Sequence, residues 1–264
     1  MSDVGRSAFR FQLVGERFEL VAPSGDVLAA LRDRLPPLTS CAGAEKVCRR
    51  YVVEKPERAS PELRVRRGTG KPRPAAGADG AADVIAEDIQ HLLAHRAGGL
   101  LFLHAGAVVW RGRAILLPGR SGCGKSSLVA ALLDAGAGYL SDELALVDAR
   151  GRAHSYARPL ALRRGGTVER LAAARLGASV AESGAPVAVL AFLSYAPGAA
   201  WSVERLTPGR AVLAGLRHAL AARRRLDLAR RVLIPLSRRA VAVSGRRGEA
   251  AAAVRHLLEA AGGG

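Results

Sequence analysis

Lysine, aromatic residues and long apolar runs are scarce in this sequence of 264 residues. Four of its 40 basic residues are lysine, and aromatic side chains make up 4% of the chain. No apolar run approaches the ~18 residues that a transmembrane helix needs, and the first residues lack the apolar core of a secretory signal. We therefore expect a cytoplasmic protein without a membrane partner.

Cysteine and histidine patterns that hold zinc are also absent. The three cysteines, Cys41, Cys48 and Cys123, form no CxxC pair and indicate no disulfide framework. The histidines form no HExxH or HxH pattern. The segment around Ser121 lacks the GxSxG elbow of a serine hydrolase. These absences argue against a zinc site and against a serine hydrolase.

The charge is strongly positive, with 40 lysines and arginines against 23 acidic residues and a net charge of +17. The arginines are scattered, except for runs at residues 223–225 and 230–231, which have few aromatic residues nearby to stack on bases. This distribution argues against nucleic acid as the main partner. It favours a basic surface that attracts a nucleoside triphosphate or an acidic peptide by long-range electrostatic steering.

Residues 119–126, GRSGCGKS, fit the phosphate-loop pattern G-x-x-x-x-G-K-[ST] at every constrained position. Glycines there let the backbone turn tightly and direct successive N–H groups at phosphate oxygens. Lys125 would contact the β- and γ-phosphates, and the Ser126 hydroxyl would ligate Mg2+. We therefore predict that a nucleoside triphosphate binds here, on a set that comprises Gly119, Arg120, Ser121, Gly122, Cys123, Gly124, Lys125, Ser126 and Ser127.

The sequence on either side of this motif predicts the order strand, loop, helix that phosphate binding requires. Residues 114–117 form a short apolar run suited to a buried strand, and Leu128, Leu132 and Leu133 recur at helical spacing. The N-terminus of this helix would add the positive end of its dipole to the anion site.

Asp142 and Glu143 lie 17 and 18 residues after Lys125, across one helix and the start of one strand. Adjacent carboxylates suit two tasks. One holds Mg2+, and the other takes the proton of an acceptor hydroxyl as a phosphoryl group is transferred. We therefore predict Ser126, Asp142 and Glu143 as the metal-binding set. The alternative is an exposed acidic turn between two strands.

Three further side chains are candidates for the chemistry. His104 precedes Lys125 by 21 residues, at the end of a predicted strand, and is a candidate for contacting the γ-phosphate or the acidic pair. Arg158 and Arg163 are candidates for neutralising charge on the transferring phosphoryl group. The alternatives are a structural histidine and two surface arginines.

The chain is predicted to divide into two regions. Residues 1–55 have the pattern of a small α/β unit, in which two strands pair around Gly15. Residues 56–80 contain four prolines and several glycines, which predict a loop or linker. We therefore place the domain boundary at residue 80, with a region of unknown role over residues 1–80 and a phosphate-binding domain over residues 81–264.

The larger region is predicted to contain both helices and strands. Residues 201–206 are expected to pair with the buried strand at residues 186–193. The predicted elements are helices over residues 81–95, 208–222 and at the C-terminus, and strands over residues 100–104, 107–110, 186–193, 201–206, 232–234 and 240–243.

The segments His104-Ala-Gly106, residues 119–126 and Tyr139-Leu-Ser-Asp142-Glu143 resemble, in this order and close spacing, the bacterial HPr kinase/phosphorylase family. They are more similar to diverged relatives of that family, such as the kinases of lasso-peptide precursors. The likeness covers about residues 100–150. It is looser from residue 157 onward and is absent over the first 80 residues.

The resemblance implies a phosphoenolpyruvate-carboxykinase-like nucleotide fold, an α/β domain with a mixed sheet and flanking helices. It implies ATP and Mg2+ as cofactors, His104 beside the γ-phosphate, Asp142 as the proton-accepting acid and Glu143 as the second acid. The paired aspartates of the family are Asp-Glu in this sequence, and its arginine- and asparagine-containing signature is missing after residue 150. HPr as the substrate, phosphorylase activity and hexameric assembly are therefore not implied.

These features together predict an ATP- and Mg2+-dependent kinase that phosphorylates a serine hydroxyl on a small protein or peptide, with a lasso-type precursor peptide as one such acceptor. Two alternatives stay open. Either the acceptor is a free amino acid or another small molecule, or the protein is a nucleotide-dependent binding or regulatory module with little turnover. The oligomeric state also stays open, with a homo-oligomer as one alternative.

Overall fold

The computed structural model of the protein describes residues 6–41, 47–56, 62–164, 167–172 and 184–262. The chain forms two compact units, Met1–Ala97 and Gly98–Gly264. Each unit combines α-helices with a sheet that contains both parallel and antiparallel strand pairs. The expectation of an α/β protein with a mixed sheet is therefore confirmed.

Two helices and a six-stranded sheet make up the first unit. The elements are β1 (Ser7–Leu13), β2 (Glu16–Ala22), α1 (Gly25–Arg32), β3 (Thr39–Ser40), β4 (Arg49–Glu54), β5 (Glu62–Arg67), β6 (Arg73–Ala76) and α2 (Gly77–Arg96). The strand order is β3-β1-β2-β4-β5-β6. Val14 and Gly15 both have positive φ in the tight turn between β1 and β2, as a type I′ hairpin requires.

The linker predicted at residues 56–80 is wrong over most of its length. The two strands β5 and β6 lie within it, and α2 begins at Gly77. Pro74 fits because β6 is an edge strand, where a residue without an N–H is tolerated. Since α2 packs on β5, β6 and α1, the boundary lies after Ala97 instead of at residue 80. Residues 57–61 lie outside the described residues.

An eight-stranded mixed sheet forms the centre of the second unit. The strands of this unit are β7 (Leu100–Trp110), β8 (Arg113–Pro118), β9 (Gly138–Ser141), β10 (Leu144–Asp148), β11 (Arg152–His154), β12 (Leu160–Arg164), β13 (Thr167–Leu171), β14 (Ala185–Tyr195), β15 (Ser202–Arg205) and β16 (Val241–Arg247). The order in the large sheet is β11-β10-β7-β8-β14-β16-β15, and β9 also pairs with β7. The strands β12 and β13 form a separate two-stranded sheet.

Two pairs of helices cover the two faces of this sheet. On one face, α3 (Lys125–Asp134) and α6 (Ala250–Gly262) share a core with Ile115 and Leu117 of β8. On the other face, α4 (Pro208–Leu216) and α5 (Leu226–Arg239) share a core with Ala114 and Leu116. Alternate residues of β8 are thus buried on opposite faces. Among the described residues, no helix is both long and apolar enough to cross a membrane.

Three parallel strands of this sheet end at the same edge. The central strand, β14, pairs in parallel with both β8 and β16. Their last residues, Pro118, Tyr195 and Arg247, therefore lie along one edge. In open α/β sheets, ligands bind outside the carboxyl ends of the parallel strands. The segment that follows β8 is therefore placed where such a site forms.

Two predicted strand assignments are corrected by the structure. Residues 232–234 lie inside α5, where Val232, Leu233 and Leu236 are buried at helical spacing. A short apolar run does not distinguish a buried strand from a buried turn of helix. The predicted pairing of residues 201–206 with β14 is also wrong, because both edges of β14 are taken by β8 and β16, and β15 pairs with β16.

Gly245→Ala should destabilise the second unit, because a Cβ on Gly245 would lie 2.1 Å from Ser202 O and 2.7 Å from Val203 Cα of β15. Both are backbone atoms, so a strand must shift, and overpacking of this kind costs about 1–3 kcal/mol. The unfolding temperature measured by circular dichroism should fall by several degrees. Gly209→Ala is the control, since nothing lies within 4 Å of a Cβ there. Equal unfolding temperatures for Gly245→Ala and wild type would contradict the pairing of β15 with β16.

Candidate functional site

A glycine loop, residues 119–124, connects β8 to α3 at the edge where the parallel strands end. Gly122 and Gly124 have φ angles of 85° and 86°, in the left-handed region that favours glycine. A Cβ on Gly119 would lie 2.4 Å from Cys123 Sγ. The path of the loop therefore favours glycine at positions 122 and 124, and a side chain at position 119 would displace that of Cys123.

The start of α3 is arranged to receive an anion. The helix begins at Lys125 with Gly124 as its N-cap, no side chain caps it, and its first turn carries no acidic residue. The first N–H groups of a helix have no intrahelical partner. Together with the helix dipole, they make a positive end that favours phosphate. Arg120, Ser121 and Ser127 are exposed around this end.

Lys125 bridges the glycine loop and the neighbouring strand β7. Its Nζ donates to Gly119 O and Arg120 O, both at 2.9 Å, and lies 3.2 Å from His104 Nε2. Burial, followed by the charge of Lys125, lowers the pKa of His104. The neutral imidazole can accept a hydrogen bond from the ammonium group. The structure thus brings His104 and Lys125 into contact.

Asp142 is buried beside the start of α3, with 8% of its surface exposed. Its Oδ2 accepts hydrogen bonds from Ser126 Oγ at 2.9 Å and from Ala161 N at 3.4 Å. Its Oδ1 has no hydrogen-bond partner among the described residues. Burial raises the pKa of this carboxyl from its ordinary value of 3.8 to about 6, although Ser126 and Ala161 favour the charged form. Such a costly buried acid is typical of functional sites.

Glu143 pairs with Arg158 instead of joining Asp142 beside Ser126. Arg158 Nη1 donates to Glu143 Oε2, and the Glu143 side chain is 45% exposed. The exposed-turn alternative therefore does not describe Asp142, which is buried. Of the two acids, Asp142 is the one that is hydrogen-bonded to Ser126 and so placed to meet a cation there.

Arg163 stays apart from the glycine loop. It lies on β12, two residues beyond Ala161, and its side chain is exposed. Within the ranges that the structure describes, no hydrogen bond or ion pair joins this side chain to Asp142 or Lys125. The contact of β12 with the site is made by the backbone N–H of Ala161. The structure therefore assigns Arg163 no contact with the candidate site.

Sequence reasoning missed three residues that contact the loop or its neighbour β7. They lie far along the chain from the glycine motif, so only the topology of the sheet brings them there. The contacts are Arg247 Nη2 to Gly124 O at 2.6 Å, Tyr195 N to Cys123 O at 3.3 Å, and His104 N to His218 O at 2.8 Å.

The oxygen atoms beside the loop fit a small, hard cation. In the described part of the chain, His, Cys, Asp and Glu side chains form no group of three or more that could hold a metal ion. Mg2+ is commonly held by one or two protein oxygens, with phosphate oxygens and waters completing the octahedron. Ser126 Oγ and the Asp142 carboxylate, whose Oδ1 is unpartnered, are of this kind.

Two comparisons by sequence find no match. No model of a protein family matches the chain, and no curated protein matches it. The likeness to HPr kinases therefore rests on the motif residues alone.

Proposed function

We propose that the protein is an ATP- and Mg2+-dependent kinase that transfers the γ-phosphoryl group to a serine hydroxyl of a small protein or peptide. The observation that carries the proposal is Asp142, a buried carboxylate that is bonded to Ser126 and has one unpartnered oxygen. Oδ2 of this acid faces Ser126, where Mg2+ would bind, and its unpartnered Oδ1 can accept the proton of an acceptor hydroxyl, which suits phosphoryl transfer. The resemblance of residues 100–150 to HPr kinases, with their phosphoenolpyruvate-carboxykinase-like fold, supports the same function.

The glycine loop and the start of α3 would hold the triphosphate through backbone N–H groups. Lys125 Nζ, which bonds to Gly119 O and Arg120 O, would exchange these carbonyls for phosphate oxygens. Ser126 and Asp142 would hold Mg2+, which supplies positive charge against the phosphate oxygens. His104, beside Lys125, would lie next to the γ-phosphate.

The transfer step is a displacement at the γ-phosphorus. The acceptor oxygen forms a bond to this phosphorus while the bond to the bridging β–γ oxygen breaks, and ADP leaves. The proton of the acceptor hydroxyl passes to Oδ1 of Asp142, which has no partner among the described residues, while Oδ2 faces Ser126 and the cation site. Lys125 and the N-terminus of α3 stabilise the charge of the transferring group.

Exposed arginines on the segment that follows α4 favour an acidic peptide as the acceptor. The segment after α4 is joined to β7 at the site, where His218 O accepts from His104 N. An acidic peptide would meet complementary charge on this segment, whereas a free amino acid would contact little of it. Its exposed arginines, none of which forms a salt bridge within the described residues, are Arg217, Arg223 and Arg224.

Asp142→Asn should lower the transfer of label from γ-labelled ATP by on the order of 100-fold or more, because a positioned general base contributes roughly 10²–10⁴-fold. The assay contains Mg2+ and two serine peptides of equal length, one with glutamates and one with lysines around the serine. The acidic peptide should be the better acceptor. Glu259→Gln, which neutralises an exposed acid on α6, is the control and should transfer like wild type.

Two results of this assay would count against the proposal. Undiminished transfer by Asp142→Asn would remove Asp142 from the reaction. ATP binding by the wild type without transfer to either peptide or to free serine would favour a nucleotide-dependent binding module.

Asp142→Asn should also stabilise the ligand-free protein. Because the folded pKa of about 6 lies above the ordinary 3.8, folding favours the protonated acid, and this contribution to stability is lost as the pH rises through about 6. In urea unfolding, the variant should gain on the order of 1–3 kcal/mol at pH 8, and less as the pH falls toward 4. A variant that is no more stable than wild type at pH 8 would show that the buried charge carries no such cost.

A further inference from the structure

Arg247, the last residue of β16, is buried against the glycine loop with 2% of its surface exposed. Its Nη2 donates to Gly124 O at 2.6 Å, and its Nη1 donates to Gly248 O at 2.7 Å. The guanidinium lies over the ring of Tyr195, 5.4 Å from the centroid. The backbone is held as well, because Ala196 N donates to Arg247 O at 2.9 Å. The side chain is therefore fixed in one position under the loop.

This buried cation has no carboxylate partner among the residues that the structure describes. Both of its hydrogen bonds go to neutral carbonyls, and its Nε is buried without a partner. The nearby Glu249 accepts from the Tyr195 hydroxyl at 2.9 Å. A buried charge without a counter-charge destabilises a fold. Glu249 acts on the guanidinium electrostatically without a hydrogen bond to it, and a phosphate bound in the loop would add further negative charge.

Hydrogen bonds from the strand ends also set the direction of the loop N–H groups. Tyr195 N donates to Cys123 O at 3.3 Å, and Arg247 donates to Gly124 O, so donors at the strand ends hold two consecutive carbonyls. Leu128 N of α3 also donates to Gly124 O, at 3.2 Å, and Arg247 thus adds to the hold that the helix itself has on this carbonyl. In a planar trans peptide, the C=O of one residue and the N–H of the next point in opposite directions. The N–H groups of Gly124 and Lys125 are therefore directed away from the strand ends.

The same contact accounts for the glycine at position 124. A Cβ there would lie 2.5 Å from Arg247 Nη2 and 3.1 Å from Tyr195 Cβ. A side chain at position 124 would therefore displace the guanidinium from the Gly124 carbonyl. The contact between Arg247 and the loop thus depends on the absence of a side chain at Gly124.

We propose that Arg247 is a positioning residue of the glycine loop: its guanidinium anchors the Gly124 carbonyl, so that the N–H groups at the start of α3 face the phosphate before the nucleotide binds. This inference rests on the proposed binding of a triphosphate to the loop, and it does not depend on the transfer step. The arginine also places a fixed positive charge beneath the anion.

Titration calorimetry with Mg2+ and inorganic triphosphate tests this role without any contact to a nucleotide base. Arg247→Met, which keeps the length of the side chain and removes its donors and charge, should bind on the order of 10- to 100-fold more weakly than wild type. Arg247→Lys, which keeps the charge but cannot bridge both carbonyls, should fall between the two. Arg246→Met is the matched control, since Arg246 is the exposed neighbour and its substitution removes the same charge. This variant should bind triphosphate like wild type.

Circular dichroism at the titration temperature separates positioning from a purely structural role. A folded Arg247→Met with wild-type affinity, or an equal loss in Arg246→Met, would overturn the inference. If Arg247→Met does not fold, Arg247→Lys decides: weaker binding supports the inference, and wild-type affinity overturns it. A wild type that does not bind triphosphate would overturn the proposed function together with this inference, whereas a wild type and an Arg247→Met that bind triphosphate with equal affinity would overturn the inference alone.

Discussion

The hydrogen bond between Ser126 Oγ and Asp142 Oδ2 joins the two halves of the candidate site, the glycine loop with α3 and the turn that carries Asp142. It fixes the start of α3 to the turn between β9 and β10. Both of these strands pair with β7, as does β8, which leads into the glycine loop. One strand therefore sets the positions of the loop, of Asp142 and of its own His104. A shift in the register of β7 would move all three relative to one another.

The charges around the loop are arranged before any ligand binds. Lys125, the N-terminus of α3 and the buried guanidinium of Arg247 make one side positive. Asp142 lies on the other side, in a setting where burial raises its pKa. Each buried charge is a cost to the folded protein without ligand. Under the proposed function, a triphosphate with its metal ion would offset both costs.

The sequence predicted the parts of the site that are contiguous in the chain. The apolar run before the glycine motif and the leucine spacing after it were sufficient for the order strand, loop, helix. Asp142 was found because a single helix and a single strand separate it from the loop. Arg247 could not be found in this way, since it meets Gly124 across 123 residues and only the strand order brings them together. The pairing of Glu143 with Arg158 likewise depends on side-chain placement that no spacing specifies.

The errors in the fold have equally local causes. Proline suggested a linker at residues 56–80, but an edge strand tolerates Pro74 because its missing N–H faces no partner strand. Residues 232–234 have the same apolar composition in a strand and in a helix that is buried on one side. In both cases the neighbouring elements decide the structure, and these are not visible in a short stretch of sequence.

A crystal structure with Mg2+ and a non-hydrolysable ATP analogue tests the central claim most directly. The account predicts phosphate oxygens on the N–H groups at the start of α3, Lys125 Nζ moved from Gly119 O and Arg120 O to the phosphates, and the cation between Ser126 and Asp142. A nucleotide bound elsewhere, with Lys125 still on the two carbonyls and Asp142 Oδ1 still without a partner, would contradict it.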